Sequence, residues 1–324
     1  MAAKRVVALL AAALLIVGAV LIRRTIDHRG ASAGDTTSVD ATREQAVTCV
    51  EDLTELCATL RVKGLTVKVE PLTTTLDAIA AGAGPTAWVT FAPIDQLAVG
   101  PDGTVAYGAA VPLASTRLSL ATRAERADVL AAACGGAITW TCIGKRSGDA
   151  WTALGGEASW GNLAPGHDNP SRRALGLLAM GSASASYFGS TTFNAVDLDA
   201  DPGFFGWFSR LERGIPAFVP NAATALDPLA TGRAVDSVGS TEAAVTGVAA
   251  APASRFIVTY PDPVGRADAV LVIANGSSLP SRVGSDLSSA LLATPGWTPT
   301  PSEPTGIPSA GVLRSLLDLW TTLR

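Results

Sequence analysis

Only two histidines occur in this chain, His28 and His167. Its cysteines are spaced C-x7-C, an uncommon zinc spacing, so a metal centre is not expected. Charge is sparse too: charged residues are 16% and hydrophobic ones 48%, far from the composition of disorder, so the bulk of the chain should fold. The glycine-rich stretches GKRSGD and GEASWG lack the G-x-x-x-x-G-K-[ST] spacing of a phosphate loop. The G-x-S-x-G match at Gly30–Gly34, around Ser32, falls in a polar, aperiodic stretch and not between a strand and a helix, so no nucleophile elbow is assigned. His167 stands beside Asp168, but chain neighbours rarely orient one another as a catalytic triad does. No catalytic residue is therefore assigned, and neither enzyme activity nor a cofactor is expected. There is no internal repeat of roughly 20 to 50 residues, so solenoids and propellers drop out.

What is present begins with Val6–Ile22, an uninterrupted apolar run of 17 residues behind Lys4 and Arg5. It fits a signal peptide or a short membrane anchor. The sequence Ala31-Ser32-Ala33 offers a cleavage site, but about ten residues beyond the run and behind Arg23, Arg24 and Arg29, so an uncleaved anchor over 1–24 is the expectation. No cysteine follows at lipobox distance, which argues against a lipoprotein anchor. Residues 25–43 are polar and aperiodic, a linker. The first 30 residues hold five of the 24 Lys and Arg and one of the 28 Asp and Glu, leaving −8 on the remainder. Nothing in that balance attracts nucleic acid.

Basic residues flank both ends of the apolar run, and a literal count slightly favours a cytoplasmic domain. The four cysteines outweigh that count, because a small even number suits an oxidising compartment. The expected location is thus a single-pass cell-membrane protein with an extracellular globular domain. Four cysteines allow three pairings; a local bond is preferred only for Cys134 with Cys142, while Cys49 and Cys57 stay open.

From residue 45 the pattern reads strand (45–50), helix (from 51), strand (65–69), a Thr-capped helix (73–81) and strand (87–91). Such β-α-β-α-β alternation argues for parallel pairing in an α/β sheet. Residues 111–121 read as a crossing segment in which Pro112 avoids an interior ladder position. A helix (123–133), a strand (137–142) and a polar turn (144–149) follow. Asp168-Asn169-Pro170-Ser171 opens a long apolar helix toward Tyr187. Further on come a helix over 204–211, a strand over 234–238, a helix from Thr241, and strands over 256–260 and 268–274. A Pro-rich loop (294–308) leads to an amphipathic helix, 310–323, with Val312, Leu313, Leu316, Leu317 and Trp320 on one face.

In this order, VTCVEDL, AWVTFAPIDQL, VPLASTRLSLA, SWGNLAPGHDNPSRRALGLLAM, STEAAV, FIVTYPDPV and the closing GIPSAGVLRSLLDLW resemble the type II periplasmic, or extracellular, solute-binding protein family, in its molybdate-binder-like branch, over residues 44–324. The resemblance implies a two-lobed α/β fold with two crossing strands. Lobe one would be 44–114 plus 240–324, and lobe two 115–239. It also implies a small polar ligand closed between the lobes and handed to a membrane permease or a sensor.

Helix amino termini at the carboxyl ends of parallel strands are where such a fold binds polar groups. By position, the candidate ligand residues are Glu51, Thr90, Thr116, Asn169, Ser171, Arg172 and Thr241. Metalate binders place small hydroxyl residues after the first strand, whereas Glu51 and Asp52 oppose an oxyanion there and also suit a helix start. Ser171 and Arg172, expected just inside a helix, combine amides with a guanidinium. Thr90 and Thr116 are equally explained by strand preference, and Thr241 by capping. Trp151 and Trp160 flank a loop and are candidates for a cleft mouth. The acidic first loop keeps a second reading open: a binding-protein fold without ligand that serves as a cell-envelope interaction domain.

Overall fold

The computed structural model describes residues 46–62, 65–249 and 256–324. The expected anchor (1–24) and linker (25–43) lie outside these residues. Among the described residues no helix is long and apolar enough to cross a membrane.

Strand β1 (Ala46–Val50) ends in a 3-10 turn, Glu51–Leu53, that runs into helix α1 (Thr54–Val62). Strand β2 (Thr66–Glu70), helix α2 (Leu72–Ala80) and strand β3 (Ala87–Ala92) follow, and β1 pairs in parallel with both β2 and β3. The β-α-β-α-β reading is therefore correct. Its threonine cap is not: Pro71 precedes α2, and no side chain caps it.

Strand β4 (Val111–Arg123) runs the whole expected crossing segment, with a register shift between Pro112 and Ala114, where proline has no N–H to give the ladder. Helix α3 (Ala124–Ala133) comes next. Residues 137–142, expected as a strand, instead lead into helix α4 (Trp140–Arg146), which also takes up the start of the expected polar turn. Thr139 caps α4, its Oγ1 accepting from the Cys142 amide, and the Cys134–Cys142 disulfide holds α4 against the end of α3.

The short strand β5 (Pro165–Gly166) leads to the buried helix α5 (Ala174–Phe188). Helices α6 (Ala195–Ala200), α7 (Pro202–Gly214) and α8 (Leu226–Ala230) precede strand β6 (Ser237–Thr241), which begins three residues beyond the expected start at 234. Helix α9 (Glu242–Ala249), strands β7 (Phe256–Thr259) and β8 (Arg266–Ile273), and helices α10 (Arg282–Leu292) and α11 (Ala310–Leu323) complete the chain.

Eight strands among the described residues form one mixed sheet in the order β2-β1-β3-β8-β4-β6-β5, with β7 on β4. The first part of β4 pairs antiparallel with β8, and its second part with β6 and β7. Strands β7 and β8 thus follow one another along β4, so that β4 and the β7-to-β8 connection both pass from one part of the sheet to the other.

Residues 44–324 cohere as one compact unit. The main core runs from Val47 and Trp88 through Trp140, Trp151 and Phe204 to the α11 residues Val312, Leu313, Leu316, Leu317 and Trp320, all on the face expected from the sequence. A smaller core gathers Ala121, Ile215, Leu226, Val238 and Val245 under α8 and α9. Both cysteine couples are bonded locally, Cys49–Cys57 tying β1 to α1 and Cys134–Cys142 tying α3 to α4.

Candidate functional site

The segment His167–Arg173 is not the first turn of α5 but an irregular turn before it. Asn169 shapes it: Asn169 Oδ1 accepts from the Ser171 amide at 3.0 Å and from the Ser171 hydroxyl at 2.7 Å, an Asx turn that competes with helix. Gly176, in the first turn of α5, packs so closely that a Cβ there would lie 2.2 Å from the Asp168 carbonyl oxygen. Ser171 and Arg172 therefore stand outside the helix in which the sequence put them.

The true amino terminus of α5 has a remote cap. Asp52, its side chain fully buried, accepts the Ala174 amide at 2.7 Å and the Leu175 amide at 3.4 Å, with the Arg173 guanidinium 3.9 Å away. Burial, followed by the nearby Asp168 carboxyl, raises the Asp52 pKa to about 7, against the pull of Arg173 and the two amides. The amino terminus of α2 is met in the same way: the Leu72 amide donates to the Arg172 carbonyl at 2.9 Å and the Thr73 amide to the Ser171 carbonyl at 3.0 Å. Thr73 Oγ1 adds a bond to the same Ser171 carbonyl at 2.9 Å.

Beside these contacts opens a cleft of about 430 Å³, lined by Glu51, Thr54, Asn169, Arg172, Arg173 and Asn221 among others. Arg172 Nη2 donates to Glu51 Oε1 at 2.9 Å, and its side chain stays half exposed. The pairing raises the Arg172 pKa, so the guanidinium is charged at every working pH. Asn169 Nδ2 donates to the Pro220 carbonyl, fixing the far wall. The cleft thus offers the accessible Arg172 guanidinium, the more covered Arg173, a paired carboxylate, the Thr54 hydroxyl and two carboxamides, a polar set. Among the described residues no group of His, Cys, Asp and Glu is arranged to hold a metal ion.

Of the seven candidates, Glu51, Asn169 and Arg172 line this cleft, while Ser171 is bonded to Asn169 in the Asx turn and does not line it. The other three lie elsewhere. Thr90 is fully buried on β3, opposite Val270 of β8, and its hydroxyl has no partner among the described residues. Thr116 Oγ1 accepts from the Ala243 amide at 3.1 Å and Thr241 Oγ1 from the Ala244 amide at 3.2 Å, so both cap α9. Trp151 is fully buried and meets Trp160 edge to face at 5.3 Å, away from the cleft.

His167 is structural. Nε2 faces Glu212 at 2.8 Å and Nδ1 the Asp168 carbonyl at 2.7 Å, in a buried pocket closed by Arg324, which donates to the Glu212 carbonyl and carboxylate. Burial alone would lower its pKa; the charge and hydrogen bond of Glu212 outweigh this and raise it.

Missing from the sequence candidates were Asp52, as a tertiary cap, and Arg173. Their partners lie more than a hundred positions apart, so no local pattern carried the signal.

No protein-family model matches the chain, and no curated protein matches it. Among solved structures, it is similar to the periplasmic binding protein P5PA, with a TM-score of 0.51 and 11% identity over 86% of this chain and 98% of that one. Iron-bound HitA from Pseudomonas aeruginosa aligns over the same shares with a TM-score of 0.49 and 11% identity. The chain therefore has the mixed α/β fold of periplasmic binding proteins.

Proposed function

We propose that this chain is a membrane-tethered, extracytoplasmic solute-binding protein, single-pass through residues 6–22, whose lobes (44–114 with 240–324, and 115–239) capture a small polar solute for a permease or sensor. The observation that carries this reading is the 430 Å³ cleft between the end of β1 and the turn before α5, where Arg172 presents an accessible guanidinium beside the Asn169 and Asn221 carboxamides. In a fold of this kind, binding is a hinge closure paid in polar contacts at strand ends. Proteins of the same fold include AfuA from Actinobacillus pleuropneumoniae, solved with fructose-6-phosphate.

The burial of Asp52 against α5 favours a second reading, in which the cleft no longer takes a solute and the domain serves as an envelope interaction module. One experiment separates the two. In a thermal-shift screen of oxyanions, amino acids, amines and sugars, a true solute raises the midpoint by an amount set by RT ln(1 + [L]/Kd). Arg172→Ala should then weaken that solute by about 1.5–3 kcal/mol, the worth of a hydrogen bond to a charged group. His167→Ala, once shown to be folded, should leave affinity unchanged. No shift with any compound, or dependence on His167 instead of Arg172, would end the solute reading at this cleft.

A further inference from the structure

Two helix amino termini lie beside the candidate cleft, and neither is free. At α5 the Ala174 and Leu175 amides are taken by the Asp52 carboxyl, which comes from the turn after β1. At α2 the Leu72 and Thr73 amides are taken by the Arg172 and Ser171 carbonyls, which come from the turn before α5. Both sets of bonds end on the stretch 171–175, one from the turn after β1 and the other from the start of α2, and Glu51 with Arg172 adds an ion pair on the exposed flank. Four first-turn amides, the groups that would hold an anion, are thereby satisfied by the protein itself.

We infer that Asp52 is an internal ligand beside this cleft: its carboxyl occupies the anion position at the amino terminus of α5, excludes free oxyanions and carboxylates from it, and ties the turn after β1 to α5 without solute. The claim rests on the two-lobed reading above but needs no solute to exist. Several features support it. The Asp52 side chain is fully buried, and Arg173, 3.9 Å away, lies where it would flank a bound anion. Asp168, also buried, has its own partner in the Ala225 amide at 2.6 Å and does not compete for α5. A solute in the adjoining cleft would reach Arg172, Asn169 and Asn221 but no free helix amide.

Truncating the internal ligand should recreate the site it fills. Asp52→Ala keeps the Cβ and removes only the carboxyl, leaving room for one formate. At pH 8, the thermal midpoint of the full chain carrying Asp52→Ala should rise by several degrees with formate and not with chloride at equal ionic strength. The wild type should respond to neither. An indifferent, folded variant overturns the inference, and so does a wild type that formate stabilises equally. If the variant does not fold, the wild type still decides. Exchange of the Ala174 and Leu175 amides should be as slow as in the middle of α5 without any solute, and fast exchange confined to those two would overturn the claim. Formate rescue with a negative solute screen keeps the latch and sinks the solute reading; a bound solute without rescue does the reverse.

Discussion

Asp52 must serve two opposing demands. As a carboxylate it suits the positive end of α5 and the Arg173 guanidinium, yet its full burial costs more than those contacts return, which is why its pKa stands near 7. The pH consequence has a definite sign. Between the ordinary carboxylate value of 3.8 and about 7, the folded protein holds a proton on Asp52 that the unfolded chain has released. Stability therefore falls as pH rises through that window and levels off above it, by on the order of 4 kcal/mol for this group. His167, raised by Glu212, also contributes stability that is lost on the alkaline side, so the wild-type slope alone is ambiguous. The difference between wild type and Asp52→Asn removes the shared part. Asp52→Asn should gain on the wild type steadily from pH 4 to pH 7 in urea titrations, and a difference that stays flat across that range would mean Asp52 is ionised throughout.

The disulfides show how short elements are held where propensity alone would not place them. Helix α4 spans only Trp140–Arg146 and contains Trp140, Thr141 and Ile143, residues that favour strands. The Thr139 cap and the Cys134–Cys142 bond hold it as a helix against α3. Replacing both Cys134 and Cys142 by serine should lower stability by up to about 3 kcal/mol, the cost of freeing so short a loop. The check is a lower urea midpoint with an unchanged slope, set beside the absence of titratable thiols in the denatured, unreduced wild type.

The same elements show what the sequence made legible. Helix α11 and all five of its core residues were readable, because helical spacing survives in a segment that packs one face on a single core. The first five elements were readable from alternation and short connections. Helix α4 was not, because β-branched and aromatic residues outvoted a cap and a staple. Helix α10 buries Val283, Leu287 and Leu291 at four-residue spacing that the serines between them obscure. At the site, Asn169 and Arg172 were found by position, while the start of α5 was misplaced because the Asx turn reads like a cap. The Asp52 contact joins residues 122 positions apart and leaves no trace in local pattern.

At the scale of the whole molecule, the passage between the two parts of the sheet is also pinned. Arg117 on β4 donates to both Glu242 carboxylate oxygens, at 2.9 and 2.8 Å, and to the Tyr260 hydroxyl at 3.1 Å. Its guanidinium also stacks 3.9 Å over the Tyr260 ring. Three segments meet there: β4, the start of α9 after β6, and the link from β7 to β8. On the proposed two-lobed reading, this bond lies at the pivot, with a short lever arm, and the Asp52 contact at the closing face. Losing the pivot bond should therefore soften the hinge, while losing Asp52 should open it. All four cysteines are bonded, so spin labels can be added at Thr54→Cys and Asn221→Cys, two exposed positions on opposite walls of the cleft. Electron-spin distance measurement should give a single short separation in the solute-free protein. Arg117→Ala should broaden that distribution about the same mean, and Asp52→Ala should shift the mean to longer distance. A closed distance that survives Asp52→Ala, or a mean that moves with Arg117→Ala instead, would place the latch at the pivot.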